Sequence, residues 1–212
     1  MWDFLKHLTN PESIITVGGM FLLLFVIFAE TGLLLGFFLP GDSLVFISGL
    51  LCATRPNLLH VSILTLVISL ILAAILGNIA GYWFGRRVGP ALFQREDAFL
   101  FKKRYVTVTH DFYAKHGGKT LIIGRFLPII RTFAPILAGV IQIGFRRFMI
   151  YNVIGAVLWI SILSLIGYYL GTTIPWIKDY LGYIVITLII VTAIPVLLTW
   201  FRQRNQHTGK KS

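Results

Sequence analysis

Apolar residues in this chain are gathered into long runs. Three of these, residues 58–84, 148–171 and 180–201, carry no formal charge, and about 20 apolar residues suffice for a helix to cross a bilayer. Each is expected to be a complete span. Two other apolar stretches are interrupted. Residues 31–52 contain the turn signal Pro40-Gly41-Asp42-Ser43, and residues 120–142 contain Pro128, Arg131 and Pro135; neither makes an ordinary span. Residues 14–29 are also charge-free, but cross only by borrowing residues beyond Glu30. The pattern predicts an all-α polytopic membrane protein.

Composition agrees. Of 212 residues, 57% are hydrophobic and 13% charged, with a mean hydropathy of +0.83, against about 45–50% and about 25% in soluble domains. Such a length, spent on several spans, leaves no room for a separate soluble domain. The single cysteine, Cys52, excludes an intrachain disulfide or a cysteine metal cluster. The first apolar run meets Glu30 and Gly32 without a small-x-small cleavage site and continues apolar, so it is not read as a removable signal peptide.

The net charge of +11 raises the question of nucleic acid, which position answers. Of 19 Lys and Arg, eight lie between Arg86 and Lys119, two are Arg146 and Arg147, and four follow Trp200. Each group flanks an apolar run, so cytoplasmic topology and contact with anionic membrane lipids account for the charge, and no nucleic-acid partner is expected. The same charges choose between two paths for residues 120–142. If this stretch enters and leaves the membrane on one side, all three basic groups share a face and the C-terminus is cytoplasmic. If it crosses, Arg146 and Arg147 are stranded opposite the rest. The re-entrant path is therefore expected, and irregular backbone at that depth implies a cavity or burial in protein.

Comparing the chain with itself reveals a repeat. Gly36-Phe37-Phe38-Leu39-Pro40 matches Gly124-Arg125-Phe126-Leu127-Pro128, and Gly81-Tyr82-Trp83-Phe84-Gly85 matches Gly167-Tyr168-Tyr169-Leu170-Gly171. Each half thus reads as a broken hairpin followed by a span, and one crossing per half inverts the second copy relative to the first. The expected layout is a single membrane domain over 1–212. Repeat 1 occupies about 14–85, an amphipathic connector about 86–118, repeat 2 about 119–171, and a further span with a basic tail about 172–212. In the connector, Phe101, Tyr105, Val108 and Phe112 share one helical face. That helix either lies in the headgroup plane or packs on the membrane domain.

Four charges sit in apolar surroundings: Glu30, Asp42, Arg125 and Arg131. Unpaired at mid-membrane, each costs about 2.5–3.5 kcal/mol, or roughly 10–14 kcal/mol for the set. Two acids in one half and two arginines in the other offset this by pairing across the repeat interface. Arg125 and Arg131 are six positions apart and would point away from each other on one helix, but a break at Pro128 lets both guanidiniums converge. Their planar forks suit bidentate contact with phosphate or carboxylate, so both are candidate substrate-binding residues. Glu30 and Asp42 can take up a proton where arginine cannot give one, and are candidate proton-coupling residues. Pro40, Gly41, Pro128 and Pro135 are the expected hairpin turns. Two readings of the four charges remain open at this level, a ligand site and a set of ion pairs locking two hairpins together; Asp42 could also serve as a local cap.

Other polar residues carry less. Asn78, Asn152 and Gln142 are expected in interhelical hydrogen bonds. His60, His110 and His116 lack zinc-ligand spacing, so neither a metal nor another cofactor is expected. The common nucleotide-binding, metalloprotease and hydrolase motifs are missing from the sequence.

Phe28-Ala29-Glu30-Thr31-Gly32, Phe38-Leu39-Pro40-Gly41-Asp42-Ser43-Leu44, Lys115-His116-Gly117-Gly118-Lys119 and the segment from Gly124 to Pro135 together resemble bacterial members of the DedA family, also called the VTT or SNARE-associated domain family. The resemblance runs from about Glu12 to the last span. It implies a multi-pass protein of the bacterial inner membrane with two facing re-entrant hairpins, and transport linked to the proton motive force. The implied cargo is a phospholipid or polyprenyl-phosphate carrier, undecaprenyl phosphate above all. Glu30, Asp42, Arg125 and Arg131 match the family's essential positions, whereas Asn78 stands where close relatives often carry an acid. The expected function is therefore a proton-linked, non-enzymatic lipid-carrier transporter. The alternatives are a lipid scramblase or membrane-homeostasis protein and, from another class, an enzyme modifying polyprenyl phosphate, for which only Ser43 or the hairpin acids could serve as nucleophile or base.

Overall fold

The structure, a computed structural model, describes residues 11–33, 41–93 and 128–174, all helical apart from short turns and helix ends. The helices are α1 (Pro11–Gly32), α2 (Gly41–Thr54), α3 (Pro56–Leu59), α4 (Ile63–Phe93), α5 (Pro128–Val140) and α6 (Phe145–Thr173). Pro40, Arg125, most of the connector and the C-terminal span with its basic tail lie outside the described residues.

Among the described residues, two helices, Ile63–Val88 within α4 and the whole of α6, are long and apolar enough to cross a membrane. They run antiparallel. Asn78 bonds to Asn152, and one turn further on Tyr82 stacks on Phe148 with ring centroids 4.6 Å apart. Arg86-Arg87 at one end of α4 therefore lies at the same end of the bundle as Arg146-Arg147 at the start of α6. Leu64, Ile68, Leu72 and Leu76, spaced four apart, are exposed along α4, and Ile150, Ile154, Leu158, Ile162 and Leu165 along α6. Outward-facing aliphatic stripes of this kind suit a lipid solvent.

The remaining long helices stop partway. Trp159, the middle residue of α6, is about 21 Å from either end of that helix at 1.5 Å per residue, and it meets Asp42 in the first turn of α2. From that level α2 runs along α6 towards Gly171, where Gly171 packs against Leu50 and Ala53. Helix α1 ends at the same level, and its Glu30 touches Gly41, the first residue of α2. Both α1 and α2 pack on the short helix α3 at one end of the bundle. Helix α5 also starts at mid-depth but runs the other way along α4, bringing Gly139 to Tyr82 and Arg86.

Since lipid is as apolar as leucine, close packing and hydrogen bonds hold such helices together. The core joins Leu23 and Ile27 of α1, Leu44, Ile47 and Leu50 of α2, Leu66 and Leu70 of α4, and Ile160 of α6. Two crossings depend on glycine. On α4 and α5, a Cβ at Gly85 would overlap the carbonyl of Ile136, and one at Gly139 that of Tyr82. On α2 and α6, Gly167 is pressed on the carbonyl of Phe46 and Gly49 on that of Ser164. Gly19 has another purpose: its φ of 54° allows the kink within α1.

One expected turn is corrected. Pro135 lies inside α5 rather than at a hairpin turn; the reversal falls four residues past the helix, at Gly144, after Gln142 adopts a left-handed φ of 55°. Within the helix, Pro135 offers no N–H to the carbonyl of Arg131, four residues earlier, which membrane helices tolerate where neighbours pack closely. Pro128 opens α5, where the missing N–H has no helical partner to lose, and Gly41 opens α2.

Candidate functional site

Three helix ends meet at mid-depth, and each contributes a charge. Glu30 comes from the last turn of α1, Asp42 from the first turn of α2 and Arg131 from the first turn of α5. Thr31, beside Glu30, donates its hydroxyl to the carbonyl of Ile27 at 2.8 Å, and the backbone of Gly32 lies against Gly77 of α4. The first bond stays within α1, and the second contact holds the end of α1 against the spanning helix. Gly41 is needed because a Cβ there would occupy the space of the Glu30 carboxyl.

The arginine divides its fork between the acids. Its Nη2 donates to Glu30 Oε1 and its Nη1 to Asp42 Oδ1, the latter at 2.5 Å. Arg131 and Glu30 are 4% and 1% exposed, and Asp42 21%. A cation at the start of a helix stands at the positive end of the helix dipole, whereas Asp42 at the start of α2 is well placed. The two carboxylates offset the misplacement of Arg131. Among the described residues, Glu30 Oε2 and Arg131 Nε are buried without a hydrogen-bond partner, a costly condition at low dielectric.

The sequence reasoning passed over a fourth member. Trp159 of α6 donates its indole N–H to Asp42 Oδ1 at 2.8 Å, and its ring lies 4.5 Å from the Arg131 guanidinium carbon. A signal for it existed. Tryptophan favours the membrane interfaces and uses its N–H when buried, so one at the centre of a charge-free span calls for a polar partner at that depth.

Of the predicted site residues, the structure thus brings Glu30, Asp42 and Arg131 together, with Gly41 beside them. Arg125 and Pro40 lie outside the described residues, and Pro135 is one turn along α5 from Arg131. Asn78 belongs to a separate centre. Its Nδ2 donates to Asn152 Oδ1 at 2.8 Å, and Asn152 Nδ2 donates to the carbonyl of Ile75 at 3.3 Å. Towards the basic end, the Tyr82 hydroxyl donates to the carbonyl of Ile143 at 2.6 Å and accepts from Arg86. No group of three or more His, Cys, Asp or Glu among the described residues is arranged to hold a metal ion.

This arrangement can hold charge at mid-membrane and exchange it, since both acids compete for one guanidinium that an incoming anion could also use. Comparison with known proteins gives it a family. The VTT domain matches residues 12–169. The chain is 39% identical over 207 residues to the protein DedA of Escherichia coli (strain K12), covering 96% of this chain and 93% of that one. It is 38% identical over 204 residues to an uncharacterized membrane protein of Mycobacterium leprae (strain TN), covering 96% and 89%. Against the inner membrane protein YqjA of Escherichia coli (strain K12), identity is 37% over 177 residues, covering 83% and 77%. No solved structure matches significantly. With its bilayer-length helices and inner-membrane relatives, the chain is a multi-pass inner-membrane protein; it belongs to the VTT-domain family and its DedA group.

Proposed function

We propose that this protein moves an anionic lipid carrier, with undecaprenyl phosphate the first candidate, across the inner membrane under the proton motive force. Arg131, joined by Arg125, receives the phosphate, while Glu30 and Asp42 answer for the proton. One observation carries the reading: a buried arginine whose two terminal nitrogens are both taken by acids where three helix ends converge at mid-depth. Phosphate and carboxylates need the same donors, so phosphate enters only as a carboxylate leaves. A displaced buried carboxylate is costly unless protonated. Lipid binding and proton uptake are thereby one event, and release on the other side reverses both.

The same reading takes the architecture as two inverted repeats with re-entrant hairpins, as in many secondary transporters. In its support, glycines of each Gly-Tyr-x-x-Gly span pack on the other half's hairpin helix: Gly85 on α5, and Gly167 and Gly171 on α2, while Gly81 lies between α5 and the end of α1. The shared end of Arg86-Arg87 and Arg146-Arg147 supports a cytoplasmic placement of that face.

Proteoliposomes loaded with labelled undecaprenyl phosphate test the function. Transfer between leaflets that accelerates with a pH gradient is expected. Transfer that ignores the gradient would instead mean scrambling, phosphate release would mean an enzyme, and no transfer would return the four charges to a structural role. For topology, single cysteines at Arg87, Phe145 and Gly209 in a Cys52→Ser background should all label from the cytoplasm; periplasmic labelling at Phe145 would overturn the re-entrant path.

A further inference from the structure

The two acids are not equivalent. Glu30 holds Arg131 through Oε1, its Oε2 has no hydrogen-bond partner among the described residues, and it is almost wholly buried. Asp42 Oδ1 accepts two hydrogen bonds, one from Arg131 and one from the indole of Trp159. Consider Arg131 turning to a phosphate. Among the described residues, Glu30 then loses its side-chain donor and is left with the backbone of Gly41 beside it, whereas Asp42 keeps the side-chain donor from Trp159. An indole N–H can donate but never accept, so it remains a fit partner for the ionised carboxylate and a poorer one for the protonated oxygen. Trp159 itself sits at the centre of a spanning helix, 2% exposed, and its ring also faces the guanidinium, a cation–π contact that is stronger away from water.

We infer that Trp159 is a positioning residue that keeps Asp42 ionised and in place while Arg131 changes partners, so that Glu30 alone carries the proton. The inference rests on the transport reading and divides its labour: one proton per lipid, bound at the Glu30 carboxyl on one side and given up on the other. Asp42 is a fixed countercharge that draws Arg131 back once the phosphate has left. Trp159 joins the moving charges of the hairpins to the spanning helix.

Two measurements test it. The first counts protons per lipid in proteoliposomes, with a pH dye in the lumen and labelled undecaprenyl phosphate as cargo. The parent should give one. Trp159→Phe keeps an aromatic face but no N–H, and should rise towards two as Asp42 also protonates; Trp159→Phe combined with Asp42→Asn should return to one. Glu30→Gln should give none. An unchanged ratio in an active Trp159→Phe variant, or a ratio of zero in Asp42→Asn, would overturn the division of labour. The second measurement needs no transport and so separates the failure of this inference from failure of the transport reading. With indole-15N tryptophan, five side-chain N–H resonances are expected, from Trp2, Trp83, Trp159, Trp176 and Trp200, and the one lost in Trp159→Phe is assigned. That resonance should lie downfield and move upfield in Asp42→Asn, with a smaller change in Glu30→Gln. A resonance indifferent to Asp42→Asn would refute the contact and the role together, whatever the lipid does.

Discussion

Among the described residues, two buried polar centres join the helices, and they are built on opposite principles. At Asn78 and Asn152, neutral amides link two continuous spanning helices side to side, and neither residue has a side-chain nitrogen or oxygen left buried without a partner. At Glu30, Asp42, Arg131 and Trp159, charges from three helix ends meet on one side chain of a spanning helix, and two buried atoms are left over. The first arrangement gains nothing by changing. The second has spare acceptors and donors, an odd number of charges among the described residues, and contributors that end where they meet. Satisfied networks fasten helices, while incompletely satisfied ones on interrupted helices are where partners can be exchanged.

The largest effects should come from taking the ionic centre apart. Removing one partner from a buried ion pair costs about 3–5 kcal/mol, because the other charge is left uncompensated. Arg131→Gln should therefore abolish lipid transfer and lower the thermal unfolding midpoint in detergent. Arg131→Lys keeps the charge but cannot serve two acids, or a phosphate, through a planar fork; transfer should fall by about 100-fold with normal membrane accumulation. Wild-type transfer in Arg131→Lys would show that charge alone suffices, and loss of the protein from the membrane would make the arginine structural.

A milder break leaves every charge in place. Gly41→Ala puts a methyl where the Glu30 carboxyl lies, and overpacking of this kind costs about 1–3 kcal/mol. Transfer should drop roughly tenfold with little change in accumulation, measured beside Ser48→Ala on the same helix as a control. If Gly41→Ala transports normally, Glu30 does not need its observed position.

The glycine crossings bear on the comparison differently, since they set how closely the hairpin helices approach the spans. Gly85→Ala and Gly167→Ala each oppose a backbone carbonyl on the facing helix, and should each destabilise by about 1–3 kcal/mol. Equal losses, read from thermal unfolding in detergent, would support equivalent halves; a loss at one crossing alone would argue against them.

The smallest effects are expected at the neutral centre. Asn78→Ala leaves Asn152 short of a donor and should cost about 1–3 kcal/mol of stability, while the gradient dependence of transfer stays as in the parent. Tyr82→Phe deletes the bond to the carbonyl of Ile143 and should cost about 1 kcal/mol. A changed gradient dependence in Asn78→Ala would erase the distinction between the two centres.

The parts of the fold that rest on solvent could be read from the order of residues alone. Charge-free runs longer than a bilayer is thick made α4 and α6 legible, and the cost of burying charge singled out Glu30, Asp42 and Arg131 before any fold was known. Interhelical bonding of Asn78 and Asn152 was legible on the same grounds. Gly41 and Pro128 were legible as interruptions, read as hairpin turns, and it is the structure that makes each the first residue of a helix. The place of Pro135 inside α5 was not legible, because whether a proline breaks a helix at membrane depth depends on the neighbours that satisfy the backbone, and in α5 the packing against α4 keeps the helix whole. Tertiary structure alone decided that both acids share one guanidinium, and that Trp159, 117 residues from Asp42 in sequence, completes the site. Hydropathy records what each segment prefers as solvent; which helix ends meet, and which side chain they meet on, is set by glycine-allowed crossings between segments far apart in the chain.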